Sequence, residues 1–156
     1  MILYHGSNIE FDVIDLSKSK PNKDFGRGFY LSPTYMQAME MAKIKVEQMK
    51  TGSPKVMEYQ FDENYDGLNF LRFDNYSEQW AKFILLNRNN VSPNAAHNYD
   101  IVIGPIADDR VGVQLWKYES HIIDLPTLVE NLRYIKGITI QYFFGTYKAI
   151  SKLTRI

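Results

Sequence analysis

Nine consecutive residues constrain this chain most: Asp24-Phe25-Gly26-Arg27-Gly28-Phe29-Tyr30-Leu31-Ser32. Gly26 and Gly28 carry no Cβ, so the backbone can turn tightly there or approach another group closely. Phe29-Tyr30-Leu31 is rich in strand-forming residues and predicts a short strand. Ser32-Pro33 follows, a capping residue with a proline at the first helical position, and predicts a helix start. A glycine turn, a strand and a capped helix together fix Tyr30 beside a groove with accessible backbone. The same residues also suit a loop and an edge strand that buries its tyrosine.

Length and composition narrow the classes. The 156 residues fit a single domain, 1–156, large enough for one ordinary core. Eighteen basic residues balance eighteen acidic ones, so binding to nucleic acid by bulk charge is not indicated, although a local patch would suffice. The absence of cysteine excludes disulfides, a thiolate nucleophile and thiolate metal sites, and suits a reducing cytoplasm. His5, His97 and His121 are far apart and lack metal-ligand spacing. No run of about 18 apolar residues predicts a membrane span, and Met1-Ile2-Leu3-Tyr4-His5-Gly6 does not read as a signal peptide. Eleven tyrosines and nine phenylalanines favour a sheet-rich domain with aromatic clefts.

In chain order, Ile2-Leu3-Tyr4 predicts a strand running into the turn residues His5-Gly6-Ser7-Asn8. His5 there can reach a ligand or simply face water. Residues 9–23 predict a strand fragment and then a mobile basic loop, Lys18–Lys23, of the kind that flanks sites. From Pro33 to Met49 the apolar positions Met36, Met39, Ala42 and Val46, widened by Ala38, Met41 and Ile44, predict a helix with one buried face. Its lysines, Lys43 and Lys45 among them, read as a solvated outer face. Residues 55–73 predict two strands paired antiparallel across a long loop. Ser77 caps a helix with Trp80, Phe83, Ile84 and Leu85 inward. Tyr99–Pro105 predicts a central strand. Ala107-Asp108-Asp109-Arg110 opens a short helix, its acidic pair structural or catalytic. Asp124 caps a helix with Leu128, Val129, Leu132 and Ile135 inward, ended by Gly137. Ile138–Phe144 predicts the last strand, and Tyr147–Leu153 a terminal helix. Alternating short strands and helices with antiparallel pairing predict an α+β fold.

Three of these stretches resemble the ADP-ribosyltransferase superfamily, in the His-Tyr-Glu branch shared by diphtheria toxin and the poly(ADP-ribose) polymerases. Leu3-Tyr4-His5-Gly6-Ser7 resembles its first motif. Phe25-Gly26-Arg27-Gly28-Phe29-Tyr30-Leu31 resembles its second, including the Phe-Gly-basic-Gly lead-in. Gln141-Tyr142-Phe143-Phe144 resembles its third, with Gln141 where the glutamate usually stands. Nearly the whole chain also resembles a bacterial branch of that superfamily, described mainly as a domain of unknown function and suspected to include toxins. The resemblance implies a split antiparallel β-sheet core with flanking helices, and NAD as co-substrate with no metal. It implies that His5 hydrogen-bonds the adenosine ribose and that the Gly6 backbone, helped by the Ser7 hydroxyl, holds the nicotinamide amide. Tyr30, carried by the Gly26-Arg27-Gly28 turn, would lie against the nicotinamide ring, and Gln141 would reach the 2′-hydroxyl of the nicotinamide ribose. Arg27 and the Lys18–Lys23 loop are candidates to neutralise the pyrophosphate.

Two residues depart from that pattern. Gln141 can hydrogen-bond a hydroxyl but brings no negative charge and no general base. Met41 stands where the eukaryotic polymerases have a second stacking tyrosine; its sulfur can floor a ring, or it can be a core residue. The resemblance therefore implies a mono-ADP-ribosyltransferase acting on a protein or nucleic-acid acceptor, in a toxin–antitoxin setting with a cognate antitoxin. The alternatives are a catalytically weak or inactive NAD- or ADP-ribose-binding module of the same fold, and a plain α+β interaction protein.

Overall fold

The computed structural model describes residues 1–107, 110–133 and 138–156. In chain order the elements are β1 (Ile2–Ser7), β2 (Phe29–Leu31), α1 (Tyr35–Met49), β3 (Lys55–Phe61), β4 (Phe70–Arg72), α2 (Glu78–Arg88), β5 (Ile101–Pro105), α3 (Val111–Glu119), α4 (Leu125–Leu132), β6 (Ile140–Phe144), α5 (Tyr147–Ile150) and β7 (Leu153–Arg155). The fold is α+β, with two mostly antiparallel sheets. One has the order β1-β3-β7 and the other β2-β6-β5-β4; in the second, β4 and β5 run parallel.

Side-chain alternation explains the layers. Ile101 and Ile103 of β5 and Tyr142 and Phe144 of β6 face one way and meet Leu3, Met57, Tyr59 and Phe61 of the three-stranded sheet. Val102 and Phe143 face the other way, onto Phe25 and the inner residues Trp80, Phe83, Ile84, Leu115 and Leu128 of α2, α3 and α4. The four-stranded sheet is thus covered on both faces, which suits the wholly buried β5. The Trp80 indole N–H donates to the Pro105 carbonyl at 3.0 Å, so this large core residue leaves no polar atom unpaired. On the far face of the three-stranded sheet α1 lies flush against β1: a Cβ on Gly6 would overlap the Ala38 carbonyl.

Several expectations are corrected. Residues 55–61 and 70–72 do not pair with each other. β3 lies between β1 and β7, and β4 edges the second sheet beside β5, because β3 buries Met57, Tyr59 and Phe61 between the sheets. Residues 9–23 hold no strand, only a 3-10 turn at Leu16–Lys18. The cap of α1 is Thr34, not Ser32, because the Ser32 backbone is engaged with Tyr4. Its buried face is Ala38 and Ala42, while Met36, Met41 and Ile44 are exposed; the close seat on Gly6 admits only small side chains. The terminal helix stops at Ile150, and the chain then adds β7 to β3. Asp108, Asp109, Ile135 and Gly137 lie outside the described residues. Ser77 and Asp124 cap α2 and α4 as expected.

Gly28 and Gly145 both face the Phe143 ring, and a Cβ on Gly28 would overlap that ring. Gly28→Ala is expected to lower stability by about 1–3 kcal/mol, as overpacking does. Urea denaturation reads the change, and an unchanged midpoint would show that both the Phe143 ring and the Phe144 carbonyl can give way.

Candidate functional site

The two sheets touch edge to edge at one place. Tyr4 and Ser32 exchange N–H···O=C bonds of 2.8 Å each, the only bridge between β1 and β2 among the described residues. Beyond it the strands diverge and leave a fork. Backbone groups in an antiparallel ladder alternate in direction along each strand. Since Tyr4 turns its N–H and C=O toward Ser32, His5 turns its own toward Met57 of β3, and Gly6 turns its own into the fork. By the same alternation Tyr30, two residues before Ser32, also faces the fork.

His5 fills the gap with its side chain. Nδ1 lies 2.7 Å from the Tyr30 carbonyl oxygen. A carbonyl only accepts, so Nδ1 carries the proton and Nε2 is left as an acceptor. The ring stacks on Phe29 at 4.2 Å. Burial pushes the imidazole down to about 4, opposed by the Tyr30 bond and helped by the positive charges of Lys45 and Lys23. At neutral pH His5 is therefore an uncharged, oriented ring.

Tyr30 is held more firmly still. Its hydroxyl donates to the Gly26 carbonyl at 2.7 Å and accepts the Phe25 N–H at 3.0 Å. Burial, with the nearby Asp24 charge, pushes the phenol well above its usual range. The positive φ of Gly26, 94°, lets the turn reach that hydroxyl. The Lys23 ammonium sits 5.1 Å above the Tyr30 ring centroid. Burial, then Lys45 and Lys20, bring its pKa down to about 8. Two ties pin this loop: the Gly28 N–H donates to Ser19 Oγ at 3.1 Å, and Asp24 pairs with Arg88 of α2 at 2.6 Å.

Gln141 stands on β6. The register pairs Tyr30 with Phe143 and Leu31 with Tyr142, so one further step sets Gln141 opposite Ser32 and on the Tyr30 face. Two strand spacings, about 10 Å, separate it from Tyr4. Its buried side-chain nitrogen finds no acceptor among the described residues. Gln37, Met41 and Lys45 lie at i, i+4 and i+8 along α1 and so share one stripe. Gln37 donates to the Ile140 carbonyl at 3.4 Å, and the Lys45 charge acts on Lys23 and His5. Met41, between them and 51% exposed, sits at the lip of the fork.

The fold thus draws His5, Gly6, Tyr30 and Gln141 toward one fork, with Met41 on its rim. Three candidate residues are placed otherwise: Gly28 sits against the Phe143 ring with its N–H bonded to Ser19, and Ser7 and Arg27 are turned elsewhere. The buried Ser7 hydroxyl accepts the Ile9 N–H at 3.4 Å. Arg27 is exposed and lines a separate cavity on the far side of the Gly26 turn. Lys45 is exposed, as its place on the outer face implied, although its charge still acts on His5 and Lys23; sequence reasoning missed Gln37, whose spacing from Met41 was the available signal. Among the described residues no group of three His, Asp or Glu side chains is arranged to hold a metal, and no helix is long and apolar enough to cross a membrane.

Tyr30→Phe keeps the ring but leaves the Phe25 N–H and Gly26 carbonyl without their partner. It is expected to cost about 1–3 kcal/mol in urea denaturation, and a null change would mean water replaces the hydroxyl. For His5 the sign follows from the native value of about 4 against an ordinary 6.5. Between those pH values the unfolded chain binds a proton there and the native chain does not, so stability falls as pH drops through that window. His97, also lowered by burial, adds to the slope. His5→Gln should flatten part of it, and an imidazole titrating near 6.5 by NMR would contradict the buried geometry.

Neither the curated proteins nor the solved structures give a match to this chain. One family model matches residues 1–154, described as Protein of unknown function (DUF3990), and the chain belongs to that family.

Proposed function

We propose that the protein is an NAD-dependent mono-ADP-ribosyltransferase with an ADP-ribosyltransferase-like fold. The observation that carries this reading is the meeting of the three motif stretches at one fork, where Gly6 presents backbone groups beside the Tyr30 strand. An amide-bearing planar ring can pair with an exposed strand edge as a further strand would. The Tyr30 face now under Lys23 suits a planar cation. For nicotinamide to take that face Lys23 has to leave it, and a displaced Lys23 with Lys45 supplies two cations for a pyrophosphate. His5 Nε2, an acceptor, suits a ribose hydroxyl.

The reaction breaks the bond between the ribose anomeric carbon and the nicotinamide nitrogen. The bonding pair leaves with neutral nicotinamide, the acceptor's nucleophile bonds the anomeric carbon, and its proton passes to solvent. The chain assists by positioning and by dipoles aimed at the oxocarbenium-like centre. Gln141 orients a ribose hydroxyl but supplies no negative charge, so turnover is slow and a single ADP-ribose is transferred. The partners of this reading are NAD, a protein or nucleic-acid acceptor and, for a cytoplasmic toxin, a cognate antitoxin. The second reading, a binding module without turnover, is favoured by one observation: the amide of Gln141 in place of an acid.

Nicotinamide release from NAD by wild type, Tyr30→Ala and Gln141→Glu tests both. Release by wild type, loss in Tyr30→Ala, a gain of about 10²–10³ in Gln141→Glu and no chain-elongated product are expected. NAD binding without release by wild type selects the binding module. Silence from all three, with no NAD-dependent thermal shift, overturns the NAD site.

A further inference from the structure

Behind the Gly26 turn, on the side away from the fork, lies a cavity of about 310 Å³, within the size range of small-ligand sites. The turn between Asn89 and Tyr99 forms one wall, and the ends of α2 and β6 close it. Among the described residues its lining is nearly neutral: Arg27 is the one permanently charged side chain, and no carboxylate contributes.

One polar atom there is out of place. Asn87 is 1% exposed, and its side-chain nitrogen is committed to the Phe83 carbonyl at 2.7 Å. That bond leaves Oδ1 as an acceptor, and it is buried with no donor among the described residues. Buried acceptors are rarely left so. Beside it Gly26 has no Cβ; one placed there would stand 3.2 Å from Oδ1. The neighbouring imidazole cannot serve as the missing donor. His97 donates Nε2–H to the Phe25 carbonyl at 2.8 Å, and its Nδ1 accepts the Tyr99 N–H at 3.0 Å. Asn90 turns its Nδ2 to the Asn94 carbonyl and its Oδ1 to the Ser92 N–H, and gives Asn87 no bond. His97, Tyr99 and Phe143 give the cavity an aromatic wall.

A fitting ligand meets three requirements. It donates a neutral N–H to Asn87, because a second cation beside Arg27 would meet no carboxylate. It has a flat face for the aromatic wall. It carries an anion for the guanidinium. A base edge offers the first two, and a phosphate the third. We propose that this cavity binds one nucleotide, its base donating to Asn87 Oδ1 and its phosphate paired with Arg27. The site requires no NAD turnover and stands apart from the fork.

The test is calorimetric titration of the full chain with the four ribonucleoside monophosphates, their nucleosides and a mixed-sequence single-stranded oligonucleotide. At least one monophosphate should bind, and its nucleoside at least tenfold more weakly. Arg27→Glu, at an exposed position, should weaken binding at least tenfold. Ala96→Trp, which fills the cavity, should abolish it, while Lys45→Glu at the fork should leave it unchanged. An oligonucleotide binding more tightly than any monophosphate, with the same variant profile, identifies a nucleic-acid strand as the source; the reverse order identifies a free nucleotide. The proposal is overturned if no probe binds wild type, if nucleoside and monophosphate bind alike, or if binding survives both cavity variants. It is also overturned if Lys45→Glu removes binding, which would assign the nucleotide to the fork.

Discussion

Everything at the fork depends on the bond pair between Tyr4 and Ser32 being the last one of its kind. A longer ladder would have made one continuous sheet, with Gly6 and Tyr30 satisfied by each other and no edge free for a guest. A missing bridge would have left the sheets unregistered. One bridge does both jobs. It sets the phase of β1 against β2, and from that phase the directions of the Gly6 and Tyr30 backbone groups follow. His5 then takes up the space where a further rung would lie, tying its ring to the Tyr30 carbonyl instead.

Electrostatics at this place run against the chain's neutral total. Burial lowers both the Lys23 ammonium and the His5 imidazole, and the Lys45 charge adds to each depression. Asp24, near Lys23 in sequence, is committed to Arg88. The result is a small positive region over a buried phenol. Such a region is poised for an anion, and the net charge of the whole chain does not reveal it.

Much of the local geometry of the candidate site was legible because it is set within a short stretch. The Gly26-Arg27-Gly28 turn, the three-residue strand and Tyr30 lie within one short stretch, and local chemistry dictates their shape. The glycines proved to serve different ends: Gly26 supplies a positive φ and Gly28 admits the Phe143 ring. Capping by Ser77 and Asp124 was legible for the same reason. What failed was non-local. The partners of β3 and β4 are set by which faces the sheets bury against each other, and spacing along the chain carries no trace of that. The buried face of α1 was misread because methionines suggest a core, whereas the close seat on Gly6 accepts only alanines. Lys45 is solvent-exposed as the pattern implied, and what the pattern did not show is that its charge acts on His5.

Phe143 is gripped by backbone on both sides, with Gly28 and Gly145 against its ring and Tyr30 meeting it edge-on at 5.3 Å. The consequence is a rule about how this sequence can drift. Position 145 is hostage to the size of the residue at 143, and position 28 to that residue and to the Phe144 carbonyl. While an aromatic stays there, neither glycine can acquire a side chain without forcing the ring from its seat. If the ring shrinks to an aliphatic group, position 145 gains room, but a Cβ at position 28 still stands 2.7 Å from the Phe144 carbonyl oxygen, and the tyrosine beside them loses its lateral support. Substitution at 143 and 145 is therefore coupled, and a descendant that places a side chain at 145 should show a smaller residue at 143, while position 28 is held to glycine by the backbone as well.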